Sequence, residues 1–117
     1  DRLLEDGYLS EKREKAGRRR RSFSITREGR KALDAWRAEP ADAPIELRDL
    51  SLLKLFFGAE PETLAATELA SHEAKLADYL LVRKVGVPNE GVGRALEAGI
   101  AHEREFVKFW RKMSKGT

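Results

Sequence analysis

The chain has 117 residues, of which 41% are hydrophobic and 37% charged, and its net charge is +3. This length allows one ordinary domain, or one small domain with a further segment, and the high charge suits exposed helices. Because there is no cysteine, a disulfide framework and thiolate chemistry are excluded. No apolar run approaches the about 20 residues that a membrane span needs, and no secretory signal is present, so we expect a cytoplasmic protein without membrane contact.

Positive charge is concentrated in the first third of the chain. Residues 1–36 contain eleven Lys and Arg against seven Asp and Glu, whereas residues 37–117 contain twelve against thirteen. This distribution is typical of a binding surface for a polyanion attached to a nearly neutral scaffold.

The first residues, DRLLEDG, have the pattern of a helix end. Leu3 and Leu4 form an apolar side, and Gly7 lies where a C-terminal cap would place a left-handed residue. The chain also begins without methionine. We therefore expect that Asp1 lies in the interior of a longer protein, with a short helical N-terminus as the alternative.

A basic β-hairpin is predicted next. Tyr8 to Arg13 favours a strand, Ala16-Gly17 a turn, and alternation along the return strand places Arg21, Phe23 and Ile25 on one face. We expect Phe23 and Ile25 to pack on helices, which leaves the basic residues at the exposed end. The guanidinium group of an arginine can donate a pair of hydrogen bonds to one phosphate and can enter a narrow minor groove, so this end is a candidate DNA contact. The alternative is a solvated run of charges without a partner. The candidate residues are Lys12, Arg13, Lys15, Arg18, Arg19, Arg20 and Arg21.

Helices are predicted for most of the remaining chain. Thr26 is a candidate N-cap for a helix over 27–37, and the proline-containing residues 39–44 are typical of a linker. A short helix over 51–57 ends at glycine, and Pro61 begins a helix that runs to about Lys84. Asn89 can cap the last helix.

The order of these features resembles the PadR family of transcriptional regulators. The residues that carry the resemblance are Leu3, Asp6-Gly7, Tyr8-Leu9, Arg19 to Arg21, Phe23, Ile25-Thr26, Gly29, Leu33 and Trp36. The resemblance implies that residues 1–38 are the C-terminal part of a winged-helix DNA-binding domain: the end of the recognition helix, the wing and the following helix. The family often has two aromatic residues in the second wing strand, whereas Ser22-Phe23 provides one.

Residues 45–117 resemble the long helical dimerisation domain of PadR-like and AphA-like regulators. Spacings of three and four residues give the last helix a strong apolar stripe, and two long helices joined by a tight turn should pack antiparallel. A lone helical hairpin has little to cover that stripe, so we expect a second subunit to do so. The candidate dimerisation residues are Leu96, Gly99, Ile100, Phe106, Val107 and Trp110. Gly99 is explained either by a close approach of another backbone or as a tolerated glycine.

Other chemistry has little support in the sequence. His72 and His102 lie on separate predicted helices without a histidine partner one turn away, so neither a metal site nor a cofactor is predicted, and no arrangement of nucleophile and base indicates an enzyme. Regulators of this kind often sense small aromatic molecules. Trp36 and Trp110 are therefore candidates for an effector pocket, although aromatic residues at these spacings also suit the core and the dimer interface.

The expected fold is mainly α with one β-hairpin, a partial winged helix-turn-helix followed by an α-helical dimerisation domain. The resemblance implies a DNA-binding transcriptional regulator, a dimeric repressor whose wing contacts the backbone or minor groove of double-stranded DNA. One alternative is a helical dimerisation or small-molecule-sensing module that does not bind DNA. Another is a winged domain that binds RNA or another protein.

Overall fold

Seven elements follow one another in the computed structural model, which describes residues 1–115. They are α1 (Arg2–Glu5), β1 (Leu9–Arg13), β2 (Arg21–Ile25), α2 (Arg27–Ala38), α3 (Leu50–Phe56), α4 (Pro61–Val85) and α5 (Glu90–Met113). The prediction of a mainly helical chain with one antiparallel hairpin is confirmed. The last two positions of the predicted 45–117 region lie outside the described residues.

Local sequence determines where these helices begin and end. The side chains of Thr26, Asp49 and Asn89 each accept a hydrogen bond from the backbone N–H three residues further on, which satisfies a donor that has no partner within the helix. Helix α4 instead begins with Pro61, which has no N–H to satisfy. It ends at Gly86, whose φ of +118° is readily adopted only by glycine.

The chain divides into two compact units, Asp1–Glu46 and Leu47–Thr117, and each is described by itself. In the first unit, α1, the hairpin and α2 meet at Thr26. The Thr26 hydroxyl donates to the carbonyl of Gly7 at 2.6 Å and accepts from the N–H of Gly29, while the Thr26 N–H donates to the carbonyl of Tyr8 at 3.0 Å. One threonine therefore ties the start of α2 to the entry of the hairpin.

Gly29 makes a close approach between α2 and the hairpin possible. It is buried, and a Cβ at this position would lie 2.1 Å from the carbonyl oxygen of Tyr8 and 3.0 Å from a side-chain carbon of Ile25. Any side chain would thus push α2 away from the hairpin. Ile25 contacts α2 at this point as expected but is 39% exposed, and the prediction for Phe23 is wrong. Phe23 is 47% exposed, and its ring lies 5.5 Å from the guanidinium of Arg21.

In the second unit, α4 and α5 form the predicted antiparallel hairpin. Its core residues Ala65, Ile100, Val107 and Trp110 are buried. Three of them lie on α5 at spacings of seven and three residues, which places them on one face of that helix. Helix α3 lies against α4, and the Ser51 hydroxyl donates a hydrogen bond of 2.7 Å to Glu68.

Candidate nucleic-acid interface

The hairpin presents its basic residues on a defined loop. Residues 14–20 join the two strands, and the loop is closed by a hydrogen bond of 2.9 Å from the N–H of Glu14 to the carbonyl of Arg20. Within the loop, Gly17 and Arg19 have φ values of +74° and +50°. A positive φ is uncommon for a residue with a side chain, so the loop has a specific conformation in place of a simple two-residue turn.

Five of the seven predicted DNA contacts have free charges. Their side chains are exposed, and none forms an ion pair with any residue in the described range 1–115; they are Lys12, Lys15, Arg18, Arg19 and Arg20. Because no carboxylate among the described residues neutralises them, these five residues are available to a phosphate backbone.

Arg13 and Arg21 differ from the other five because both are paired with Glu11. The Nε atoms of Arg13 and Arg21 lie 2.8 Å and 2.5 Å from the same carboxylate oxygen of Glu11. The hydrogen bond from Arg21, followed by the one from Arg13, lowers the pKa of Glu11 to about 2, so the carboxylate is ionised at neutral pH. The same pairing raises the pKa of Arg21.

Sequence reasoning missed Glu11, although its position gives a signal. Alternation along β1 places Glu11 and Arg13 on one face, and the pairing of the strands adds Arg21 directly opposite Arg13. A lone acidic residue between two basic ones on one face of a hairpin is therefore a detectable pattern.

The predicted dimerisation residues lie mostly inside the helical unit. Ile100, Val107 and Trp110 are buried within this one chain, while Leu96, Gly99 and Phe106 are half-buried. Gly99 is in contact with its own chain, because a Cβ there would lie 3.0 Å from the ring of Tyr79 on α4. The stripe on α5 thus packs on α4, and the expectation that a second subunit must cover it is wrong for its three buried members.

A buried polar pair lies in the middle of that stripe. Glu103 is 4% exposed, and its Oε2 atom lies 2.5 Å from Nδ1 of His72 on α4. The other ring nitrogen of His72 lies 3.4 Å from Glu68, and its ring stacks on Phe106 with centroids 4.7 Å apart. His72 is therefore not an isolated packed histidine. Glu103 could have been found from its spacing of three from Ile100 and four from Val107.

The two tryptophans have different surroundings. Trp36 lies in the first unit and lines an apolar groove of about 440 Å³ with residues that include Tyr8, Ile25 and Leu33. Trp110 is fully buried in the second unit, and its indole N–H has no acceptor among residues 1–115. A separate groove of about 330 Å³ in the second unit is lined by Leu52, His102, Glu105, Phe106 and Phe109.

The described part of the chain has neither a cluster of metal ligands nor a membrane-spanning helix. No group of three or more His, Cys, Asp or Glu residues between positions 1 and 115 is arranged to hold a metal ion. No helix in the same range is long and apolar enough to cross a membrane.

Solved structures provide the comparison that identifies the fold. Bacillus subtilis PadR in complex with operator DNA superimposes with a TM-score of 0.80 at 18% identity, over 97% of this chain and 72% of that one. The PadR-like transcriptional regulator BC1756 from Bacillus cereus has a TM-score of 0.78 at 23% identity, over 97% and 69%. The fold is that of the PadR-type regulators.

A third structure, Bacillus subtilis PadR in complex with p-coumaric acid, has a TM-score of 0.74 at 18% identity, over 97% of this chain and 71% of that one. No protein-family model matches the chain, and no curated protein sequence is significantly similar to it. The shared PadR-type fold includes the wing hairpin and the α4–α5 pair, since the superpositions cover nearly all of this chain.

Proposed function

We propose that this chain belongs to a DNA-binding transcriptional regulator, a homodimeric repressor whose wing holds the phosphate backbone or the minor groove. The observation that carries the proposal is a wing hairpin with five exposed basic side chains that form no ion pair within residues 1–115, four of them in the loop 14–20. One solved structure with this fold is a complex with operator DNA. Each phosphate contact releases condensed counterions, so binding should weaken steeply as salt rises. The role is non-catalytic, as for the transcriptional regulators that share the fold, and it belongs in the cytoplasm.

The charge of the loop can be tested in the full-length protein with a pool of random-sequence duplex DNA. A triple variant, Arg18→Ala with Arg19→Ala and Arg20→Ala, should lower the affinity and reduce the log–log salt slope by up to about 2.7, at about 0.9 for each lost contact. The matched control removes three charges from the exposed surface of α5: Arg104→Ala, Lys108→Ala and Lys112→Ala.

The outcomes separate the proposal from its alternatives. An unchanged affinity and slope in the loop variant would contradict DNA binding by the wing. Equal losses in the loop variant and the α5 control would show that net charge alone acts. Competition experiments test whether the wing binds RNA in preference to DNA. We expect duplex DNA to displace both single-stranded and double-stranded RNA from the protein.

The homodimer is supported by apolar surface on the second unit. Helix α3 has half-buried Leu52 and Leu55 on the side that faces its own unit, and it exposes Leu50 and Leu53 on the opposite side. Its C-cap, Phe57, is exposed as well. Exposed apolar side chains that are grouped on one side of a helix mark an interaction surface, which favours a second copy of the chain as the cover. The half-buried residues Leu96, Gly99 and Phe106 remain candidates at the edge of such an interface.

Sedimentation of the full-length protein tests this assembly. We expect a dimer at micromolar concentration, and the variant Leu53→Lys with Phe57→Lys should shift it towards the monomer. Glu62→Lys changes an exposed residue in the first turn of α4 and should leave the dimer intact. A monomeric wild-type protein would contradict the two-fold mechanism, in which paired modules contact half-sites about 34–36 Å apart or a multiple of that distance.

A small aromatic effector is a second proposal, supported by the relative that binds p-coumaric acid and by the aromatic groove of the second unit. Phe106 and Phe109 form apolar walls there, and His102 provides a polar group, as is typical of small-molecule sites. Titration calorimetry with p-coumaric acid should show binding that Phe109→Ala weakens and that Leu81→Ala, at an exposed apolar residue of α4, leaves unchanged. Loss of binding in a Trp36→Ala variant, with Phe109→Ala unaffected, would move the site to the groove of the first unit.

A further inference from the structure

The pairing of the two strands creates an electrostatic conflict on one face of the wing. Arg13 lies directly opposite Arg21, and Glu11 lies opposite Phe23 on the same face. Like charges directly opposite each other destabilise a strand pair, because their side chains are only about 5 Å apart. Glu11 relieves the conflict, since its single carboxylate accepts hydrogen bonds from both arginines.

The hydrogen bonds use only one edge of each arginine. Both guanidinium groups donate through Nε, at 2.8 Å and 2.5 Å, and no hydrogen bond to another described residue engages the Nη atoms of Arg13 or Arg21. Arginine has five N–H donors in a fixed plane, so four on each side chain are free. The side chains of Arg13 and Arg21 are 70% and 51% exposed, whereas that of Glu11 is 18% exposed.

Arg13 and Arg21 also line a cavity in the wing. This cavity has a volume of about 380 Å³ and is lined by Arg13, Glu14, Lys15, Arg19 and Arg21. Four of its five lining residues are basic, so it suits an anion with several acceptor oxygens. Paired N–H donors from arginine match a phosphate group in geometry as well as charge.

We propose that Glu11 is a positioning residue that holds Arg13 and Arg21 as a paired clamp for one backbone phosphate of duplex DNA. The proposal rests on the proposed function. Glu11 fixes the χ angles of two long side chains before DNA arrives, so less rotamer freedom is lost on binding. The Glu11 carboxylate also lowers the net positive charge of the wing by one unit. Ordering of the arginines raises the affinity for DNA, whereas the lower charge reduces it.

These opposite signs allow a decisive test by substitution. Glu11→Gln and Glu14→Gln each remove one negative charge from the wing, but the Glu14 carboxylate is paired with no cation within residues 1–115. The measurement is the affinity of the full-length protein for random-sequence duplex DNA as a function of salt. Glu14→Gln should bind more tightly, because repulsion falls. Glu11→Gln should bind about fivefold more weakly despite the same gain of charge, which is the cost of re-ordering two arginines.

The salt slope and a double-mutant cycle identify the cause. If the clamp loses its phosphate in Glu11→Gln, the slope should fall by about 0.9. In a background with Arg13→Ala and Arg21→Ala, the Glu11→Gln substitution should no longer weaken binding, because Glu11 acts only through these arginines. Glu11→Asp keeps the charge with a shorter reach and should also weaken binding, which covers the case in which Glu11→Gln disturbs the hairpin.

Two results would overturn the clamp. Binding by Glu11→Gln that is as tight as, or tighter than, binding by Glu14→Gln would show that Glu11 competes with phosphate. A loss that persists without the two arginines would show a merely structural role. Both results leave wing binding by the wild-type protein intact. A wild-type protein without salt-dependent DNA binding would instead remove the proposed function, and the clamp with it.

Discussion

Gly29→Ala should destabilise the first unit even though alanine is the better helix former. Gly29 lies in the first turn of α2, where the exchange would gain up to about 1 kcal/mol of helix propensity. The new Cβ would lie 2.1 Å from the carbonyl oxygen and 2.9 Å from the carbonyl carbon of Tyr8. These atoms are backbone, and Thr26 holds the Tyr8 carbonyl by a hydrogen bond of 3.0 Å, so neither side can yield without breaking that contact.

Overpacking of a close contact costs typically about 1–3 kcal/mol, and more where the neighbour is rigid. We expect a cost at the upper end of that range, from which the gain in helix propensity is subtracted. The free energy of unfolding of the first unit should therefore fall by about 2 kcal/mol. Amide hydrogen exchange measures it locally. The Thr26 and Arg30 amides, which donate to Tyr8 and Thr26, should exchange about 30-fold faster than in the wild-type protein.

Gly93→Ala is the matched control, since Gly93 lies in the first turn of α5 and a Cβ there meets only a side-chain carbon of Val87 at 3.4 Å. This control should be neutral or more stable. Unchanged or slower exchange at Thr26 in Gly29→Ala would refute the reasoning, because it would mean that α2 and the hairpin separate without cost.

Three further predictions concern buried and paired groups. His72→Leu should lower the free energy of unfolding, measured in urea, by about 3 kcal/mol, because Lys75, 3.9 Å away, is then the remaining partner of buried Glu103 among residues 1–115. The double variant His72→Leu with Glu103→Leu should lower it by less than about 1 kcal/mol. Equal losses in the two variants would contradict a coupled pair. Trp110→Phe should lower the free energy of unfolding by about 1–2 kcal/mol, because the smaller ring leaves a cavity but strands no hydrogen-bond partner among residues 1–115. Trp110→Ala should lower it by about 3–5 kcal/mol, and equal losses for the two variants would contradict a packing role for this side chain. The Glu11 carboxyl should titrate near a pKa of about 2 by NMR, so its contribution to stability is fully present above its ordinary pKa of 4.5 and is lost as pH falls through about 2. Arg21→Gln should raise this pKa, because it removes the hydrogen bond with the largest effect. An unchanged pKa would exclude that pairing.

Local patterns predicted most of the fold because its elements are specified by neighbouring residues. Thr26 and Asn89 cap their helices through contacts three residues away, and Gly86 ends α4 by its own conformation. Alternation along β2 placed Arg21, Phe23 and Ile25 on one face, which the strand pairing bears out. These signals act within a few residues, so they are visible in the sequence.

What the sequence did not reveal depends on contacts between distant elements. The pairing of Glu11 with Arg21 requires the strand register, and the approach of Gly29 to Tyr8 requires the angle at which α2 leaves the hairpin. Likewise, the apolar stripe on α5 showed that Ile100 and Val107 are buried, but periodicity cannot tell whether α4 or a second subunit covers them. Helix α4 covers them within the chain.

We propose that duplex DNA contacts this protein at the wing. An NMR titration of the full-length protein with duplex DNA tests it at residue resolution. Amide shifts should be concentrated between Lys12 and Arg21, decrease as salt rises, and be absent around the buried pair of His72 and Glu103. Shifts confined to the helical unit, or no shifts at low salt, would contradict the account.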